Sequence, residues 1–331
     1  MAIVGNTYLT LADLYKRQDD KKQIARIIEL LAQTNPILDD MIAVECNDGT
    51  THLTTMRTGI PEGTFRRLYQ AVQPTKSTTK QVRDATGMIE NWSEIDAKLV
   101  ELSGNPGALR LSEATAFLEG LNQTAAQRIF YGNTVTDPEE FLGLAPRFSS
   151  KAAENGGQIV DAGGTGSDNT SIWFVVWGEN TVHGLYPRGS RAGIQRDDKG
   201  KQTKETADGV YDVYREKFSW DLGLSVRDWR YVSRIANIDV SEMQAGNVKL
   251  YDFMRKAYYK LRQRVVTGGR AAIYANRDVL ETLDALATNA GATDSFVRLR
   301  PMEIEGKEVL TYRGIPIRET DALLNTEARV V

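Results

Sequence analysis

Apolar positions in this chain follow two different periods, and the change from one to the other marks out its elements. Leu111, Ala114, Leu118, Leu121, Ala125 and Ile129 recur at steps of three and four, the spacing that lines up one face of a helix. Asn105-Pro106 supplies a cap and a first-turn proline, and Gly132 suits the far end. The pattern predicts a helix over residues 109–131, about 35 Å long at 1.5 Å per residue. Gly120 weakens it by about 1 kcal/mol relative to alanine. Val248, Leu250, Phe253, Met254, Ala257, Tyr258 and Leu261 predict a second amphipathic helix, and Val279, Leu280, Leu283 and Leu286 a third. Near the N-terminus Thr10-Leu11-Ala12-Asp13 reads as a capped helix start. Ile24, Ile27, Ile28 and Leu31 predict a further helix over 21–33, ended by Asn35-Pro36. Two short helices with no core between them read as an arm lying on something else.

Elsewhere the period is two. Ile42, Val44 and Cys46 alternate with polar neighbours, as do Thr51, Leu53 and Thr55, with turn chemistry at Asn47-Asp48-Gly49 between them. A polar tract, Pro74-Thr75-Lys76-Ser77-Thr78-Thr79-Lys80, then breaks the pattern. Residues 42–83 therefore read as an extended, partly solvated hairpin without a core of its own. Such an element packs on another molecule or lies as a plain surface loop. Strands are predicted over 171–177 and 181–186, separated by Gly178-Glu179-Asn180, and again over 217–226 and 229–238. Residues 188–208, polar and glycine-rich, read as a mobile loop. Residues 302–317 read as one or two hairpins.

Composition narrows the classes. With 331 residues, 41% hydrophobic and 26% charged, the chain is globular and of a size for about two domains. A net charge of −3 gives no bulk attraction to nucleic acid. The single cysteine, Cys46, excludes an internal disulfide and a multi-thiolate cluster, and reads as a small buried apolar residue. The apolar run over 172–177 is too short to span a membrane, and no secretory pattern opens the sequence. A soluble, reducing compartment is the expectation. His52 and His183 stand 131 positions apart and read as surface or packing residues. Gly163-Gly164-Thr165-Gly166 invites a phosphate-loop reading, but no helix follows it. Asp19-Asp20, Asp39-Asp40 and Asp197-Asp198 suit solvation better than a metal cage. Arg227, Trp229, Arg230, Tyr231 and Arg234 resemble a nucleic-acid stacking surface, though Asp221, Asp228 and Asp239 bracket them. A strand pairing its charges across a sheet explains the same letters. No catalytic residue, cofactor or metal site is expected.

A set of phrases in a fixed order carries a resemblance. They are Arg57-Thr58-Gly59-Ile60-Pro61 with Phe65-Arg66, then Ile129-Phe130-Tyr131-Gly132-Asn133 leading to Asp137-Pro138 and Phe141-Leu142-Gly143-Leu144. Thr170-Ser171-Ile172-Trp173, Gly184-Leu185-Tyr186-Pro187, Trp220-Asp221-Leu222-Gly223-Leu224 and Asp228-Trp229-Arg230 follow. Arg234-Ile235-Ala236-Asn237-Ile238-Asp239 and Gly314-Ile315-Pro316-Ile317-Arg318 complete the set. Over nearly its whole length the chain resembles the major capsid proteins of tailed double-stranded DNA bacteriophages, which share the Hong Kong 97-type shell fold.

The resemblance implies an α+β fold: an N-terminal arm (1–41), an extended β-hairpin loop (42–85), a peripheral domain with a long spine helix (86–245) and an axial-type domain (246–331). Here the strand-rich block from Ser171 to Asp239 precedes the helix and hairpin from Asn276 to Arg318, so the β elements are expected in an altered chain order. The implied function is structural, with self-assembly into pentamers and hexamers that close an icosahedral shell around phage DNA. Implied partners are further copies of the chain, packaged double-stranded DNA without sequence specificity, a separate scaffolding protein, a portal protein and a decoration or cement protein. No membrane partner is implied. The virion shell is the implied location, with the host cytoplasm during assembly. Subunit contacts are expected at Leu11 and Tyr15 in the arm and at Arg57, Ile60, Phe65, Arg66 and Arg67 in the loop; local packing and solvated charge would account for the same residues. Three rivals remain: a bacterial nanocompartment shell of the same fold, a soluble nucleotide-binding enzyme using Gly163–Gly166, and a nucleic-acid-binding module using Arg227–Arg234.

Overall fold

In a computed structural model the chain is described over residues 8–17, 32–207, 209–264, 267–288, 299–304 and 307–331. The helix expected over 21–33 lies almost wholly outside these residues. Thr10 opens α1 (Leu11–Lys16) with a reciprocal cap, its N–H donating to Asp13 Oδ2 at 3.0 Å and Asp13 N–H to Thr10 Oγ1 at 3.3 Å. There follow α2 (Ile37–Asp40), β1 (Ala43–Glu45), β2 (Thr51–Gly59), β3 (Thr78–Asp96), α3 (Ala97–Leu102) and α4 (Pro106–Tyr131). After α5 (Leu144–Arg147) the chain turns mainly to strands: β4 (Ile159–Asp161), β5 (Asn169–Trp177), β6 (Val182–Tyr186), β7 (Gln195–Thr206), β8 (Gly209–Val226) and β9 (Val232–Asp239). The last part comprises α6 (Val240–Gln244), α7 (Leu250–Lys260), β10 (Arg270–Ala275), α8 (Arg277–Thr288), β11 (Arg300–Ile304), β12 (Lys307–Tyr312) and β13 (Ile315–Glu319).

β5 is the centre of the body. Every one of its residues is buried, because alternate side chains enter two different cores. Trp173, Val175 and Trp177 meet Ala125, Ile129 and Phe130 of α4 on one face. Ile172, Phe174 and Val176 meet Leu250, Met254 and Ala257 of α7 and Val279 and Leu283 of α8 on the other. Antiparallel β9 and β10 flank β5, and β13 runs parallel to β10. Strands from either side of residue 246 thus share one sheet. The path continues on the far side through β6, β8 and β3 to β2.

α4 is the predicted spine. Asn105 Oδ1 accepts from Ala108 N–H at 3.1 Å, Pro106 fills the first turn, and Gly132 ends the helix. No side chain fits at Gly132: a Cβ there would lie 2.5 Å from the Phe141 carbonyl oxygen and 2.7 Å from that of Arg128. α7 and α8 present the predicted apolar faces to the second core.

Three expectations change. Residues 188–208 are not a loop throughout: β7 pairs with β8 from Gln195↔Ser219 to Thr206↔Gly209. Its twelve residues hold almost no apolar side chain, so charge does the fastening, with Asp198 against Arg110 (2.6 Å), Arg196 against Glu216 (2.7 Å) and Lys204 against Glu94. The turn at 47–50 forms, with Gly49 at φ 62°, yet the strands it joins part company. β1 lies parallel to β6, and β2 finds its partner in β3. Similarly β5 and β6 share one pairing only, Trp177↔Val182, and β6 runs with β8 instead.

Candidate functional site

The hairpin of β2 and β3 leaves the body at a fork. β3 pairs with β8 from Asp96↔Val213 as far as Thr86↔Gly223, and beyond that point it runs with β2 alone. Polar side chains fill the fork. Asp84 accepts from Arg147 at 2.7 Å and from Ser225 Oγ at 2.8 Å, and Arg147 also donates to the Leu224 and Leu142 carbonyls. His52 of β2 and His183 of β6 lie beside this group, edge to face at 5.4 Å. Both are buried. Burial, the other imidazole and Arg227 push His183 down to about 4; burial and then Arg227 lower His52. Asp84 opposes both shifts. Of the surface and packing roles the sequence allows the histidines, the structure shows packing, and the sheet order brings the two together in one polar cluster.

From residue 60 onward the hairpin has no body beneath it. Every residue from 60 to 81 is exposed. Thr58 and Thr78 hydroxyls hydrogen-bond at 3.1 Å where the strands end, and a register shift lies between Arg57 and Gly59. Phe65 and Tyr69 are fully exposed, with Ile60 and Leu68 above 80%. Tyr69 also takes φ 63°, a left-handed conformation that costs a non-glycine residue about 1–2 kcal/mol. Between residues 57 and 80 stand Arg57, Arg66, Arg67, Lys76 and Lys80 against Glu62, a net charge of +4 in a chain of −3.

The residues singled out from sequence separate into two places. Arg57, Ile60, Phe65, Arg66 and Arg67 share the exposed end of the hairpin. Leu11 is half exposed on α1, whose Leu14 packs against Ile95, Leu99, Val100 and Leu109, and Arg17 reaches Glu113 of α4 at 2.5 Å. The described part of the arm therefore rests on its own subunit. The Tyr15 side chain lies outside the described residues. Leu68 and Tyr69 escaped the sequence reading because neither belongs to a periodic run.

The other candidate chemistries resolve into packing. Gly163 N–H donates to Asp161 Oδ1 and Gly164 N–H to the Asn237 carbonyl, both within 2.9 Å, so the glycine loop spends these amides internally. Arg234 offers nothing to an outside base: it is buried over the Trp173 ring, donating to Glu327 (2.8 Å), the Phe148 carbonyl (2.8 Å) and Ser171 Oγ (3.1 Å). Asp228 clamps Arg230 at 2.8 and 2.7 Å. Asp40 is buried rather than solvated, accepting from Tyr274 at 2.9 Å and Arg318 at 3.2 Å, and burial raises its carboxyl. Cys46 is buried as expected, which pushes its thiol up to about 11. Among the described residues no group of three or more His, Cys, Asp or Glu could hold a metal ion, and no helix is long and apolar enough to cross a membrane.

Residues 19–331 match the family described as Major capsid protein GP7. The structure is similar to a chain in the near-atomic structure of bacteriophage Epsilon15, with TM-score 0.79 and 38% identity, covering all of this chain and 99% of that one. It also shares its fold with the capsid of bacteriophage JBD30, at TM-score 0.51 and 9% identity over 89% and 92% of the two chains. No curated protein sequence matches.

Proposed function

The chain belongs to the major capsid protein GP7 family and is a structural shell protein with the Hong Kong 97-like fold; from this premise we propose that it closes an icosahedral shell of pentamers and hexamers around phage DNA, with the extended loop as the principal fastener. The observation that carries this reading is the loop end, where fully exposed aromatics stand among cations with no body beneath them. Covering apolar surface yields about 25 cal/mol per Å², and only a neighbour can cover this one. The remainder of the chain carries a net charge of −7, so loop and neighbouring body attract each other.

In this reading Arg57, Ile60, Phe65, Arg66 and Arg67 seat on the next subunit, and Leu11 with Tyr15 makes a second contact through the arm. Residues 1–41 form that arm, 42–85 the loop, 86–245 a peripheral domain and 246–331 an axial-type domain directed to the capsomer centre. The location is the virion shell, reached after assembly in the host cytoplasm. A separate scaffolding protein, a portal and a cement protein complete the set of partners. The nanocompartment reading is weaker, because the family matched over most of the chain is one of major capsid proteins.

The test is the double charge reversal Arg66→Glu with Arg67→Glu. Both side chains are exposed, so the subunit folds and melts normally, while sedimentation and negative-stain microscopy find no closed particles. Normal particles from this variant overturn the assignment.

A further inference from the structure

The chain has two histidines, and both stand at the root of the loop. Neither ring nitrogen of His183, nor Nδ1 of His52, makes a hydrogen bond of ordinary geometry to a described residue. The Gly178 backbone nevertheless faces the His183 ring and the Glu45 backbone the His52 ring, each favouring a proton. Buried polar atoms in native proteins are normally paired, so this contact is held by its surroundings. Those surroundings are charged from several sides. Asp84 faces the pair from β3 and is engaged by Arg147 of α5 and Ser225 of β8. Arg227 approaches from beyond β8, with its guanidinium on the Glu179 carbonyl and Asn180. Glu45 and the neutral thiol of Cys46 lie at the end of β1. A proton on either ring would meet the Arg227 guanidinium, while Asp84, the carboxylate that favours it, is already engaged by Arg147 and Ser225.

The geometry also says which way the structure yields. β2 is joined to the body here by side chains, since its strand pairing is with β3 alone. A cleft of about 390 Å³ lies between Thr54–Thr58 of β2 and the turn carrying Arg227 and Arg230. β6, by contrast, is bound on both edges, to β1 and to β8.

We propose that the His52–His183 contact is a proton-operated latch: protonation drives the two rings apart, and the extended loop is released at the fork while the body stays folded. The device goes beyond the shell function, since it sets how firmly one subunit holds its own loop. A ring that titrates near 4 when latched and near 6.5 when released makes release about twentyfold more frequent at pH 5 than at pH 7.

Hydrogen exchange on the full-length protein, corrected for the intrinsic pH dependence of exchange, tests this. Opening of residues 51–57 and 79–85 should rise about twentyfold between pH 7 and pH 5, and at both pH values should be far more frequent than the global opening that exposes β5. His183→Gln and His183→Phe, one keeping polarity and the other ring size, should each reduce that rise to less than about threefold. The proposal fails if the loop root shows no rise, if the loop root opens no more often than β5, or if both variants keep the full pH response.

Discussion

β5 and the loop end are opposite solutions to one problem. In β5 every side chain is covered by the subunit itself, whereas from residue 60 to 81 none is. Both segments carry large apolar residues, Trp173, Phe174 and Trp177 in one and Phe65, Leu68 and Tyr69 in the other. What differs is the neighbour: two core layers for β5, nothing for the loop. A subunit built this way divides its stability. The body folds on its own contacts, and under the proposed function the loop is finished only in the assembly. The fork at Thr86↔Gly223 is the border between the two regimes.

Substitutions should follow that border. The largest loss is expected at the buried Arg234–Glu327 pair. Arg234→Leu strands a buried carboxylate that also accepts from Tyr131 and Ser171, and should lower stability by about 3–5 kcal/mol in urea unfolding. Next comes Gly143→Ala. Its Cβ would meet the Arg128 carbonyl oxygen at 2.7 Å and Gly132 N at 2.9 Å, so about 2–3 kcal/mol is expected. Normal stability in either variant would break the claim that the body stands on its own packing.

The pH response comes third. His183 is held down at about 4 in the folded chain and returns to 6.5 when unfolded. The unfolded chain therefore binds the extra proton, and stability falls as pH drops from about 6.5 to 4. By pH 5 the loss amounts to about 2 kcal/mol, visible as a lower thermal midpoint that His183→Phe restores toward its neutral value. The smallest effect on folding belongs to the loop end, where Phe65→Ser and Tyr69→Ser should alter stability by no more than about 0.5 kcal/mol.

Legibility in the sequence followed the same physics. α4 was readable because a cap, a proline, a period and a terminal glycine all agree. β5 was readable because a strand buried on both faces is a continuous apolar run. β7 was hidden, since a strand fastened by Arg196, Asp198 and Lys204 has no apolar alternation to detect. The partner of β2 was hidden too, because buried positions of β3 include Asp84 and Ser93. The histidine pair and the Arg234–Glu327 clasp depend on strand order alone, over separations that no local pattern spans. The loop's exposed aromatics fall in irregular chain, where period carries no information; the ordered phrases of the family resemblance, rather than any spacing, point to Phe65, and nothing points to Tyr69.

The central claim is that the loop end contributes almost nothing to the fold and a great deal to the shell. The most direct measurement pairs thermal unfolding of the Phe65→Ser/Tyr69→Ser double variant with its yield of closed particles by sedimentation and electron microscopy. The account predicts an unchanged melting curve together with loss of particles. A destabilised subunit, or a full yield of normal shells, would contradict it.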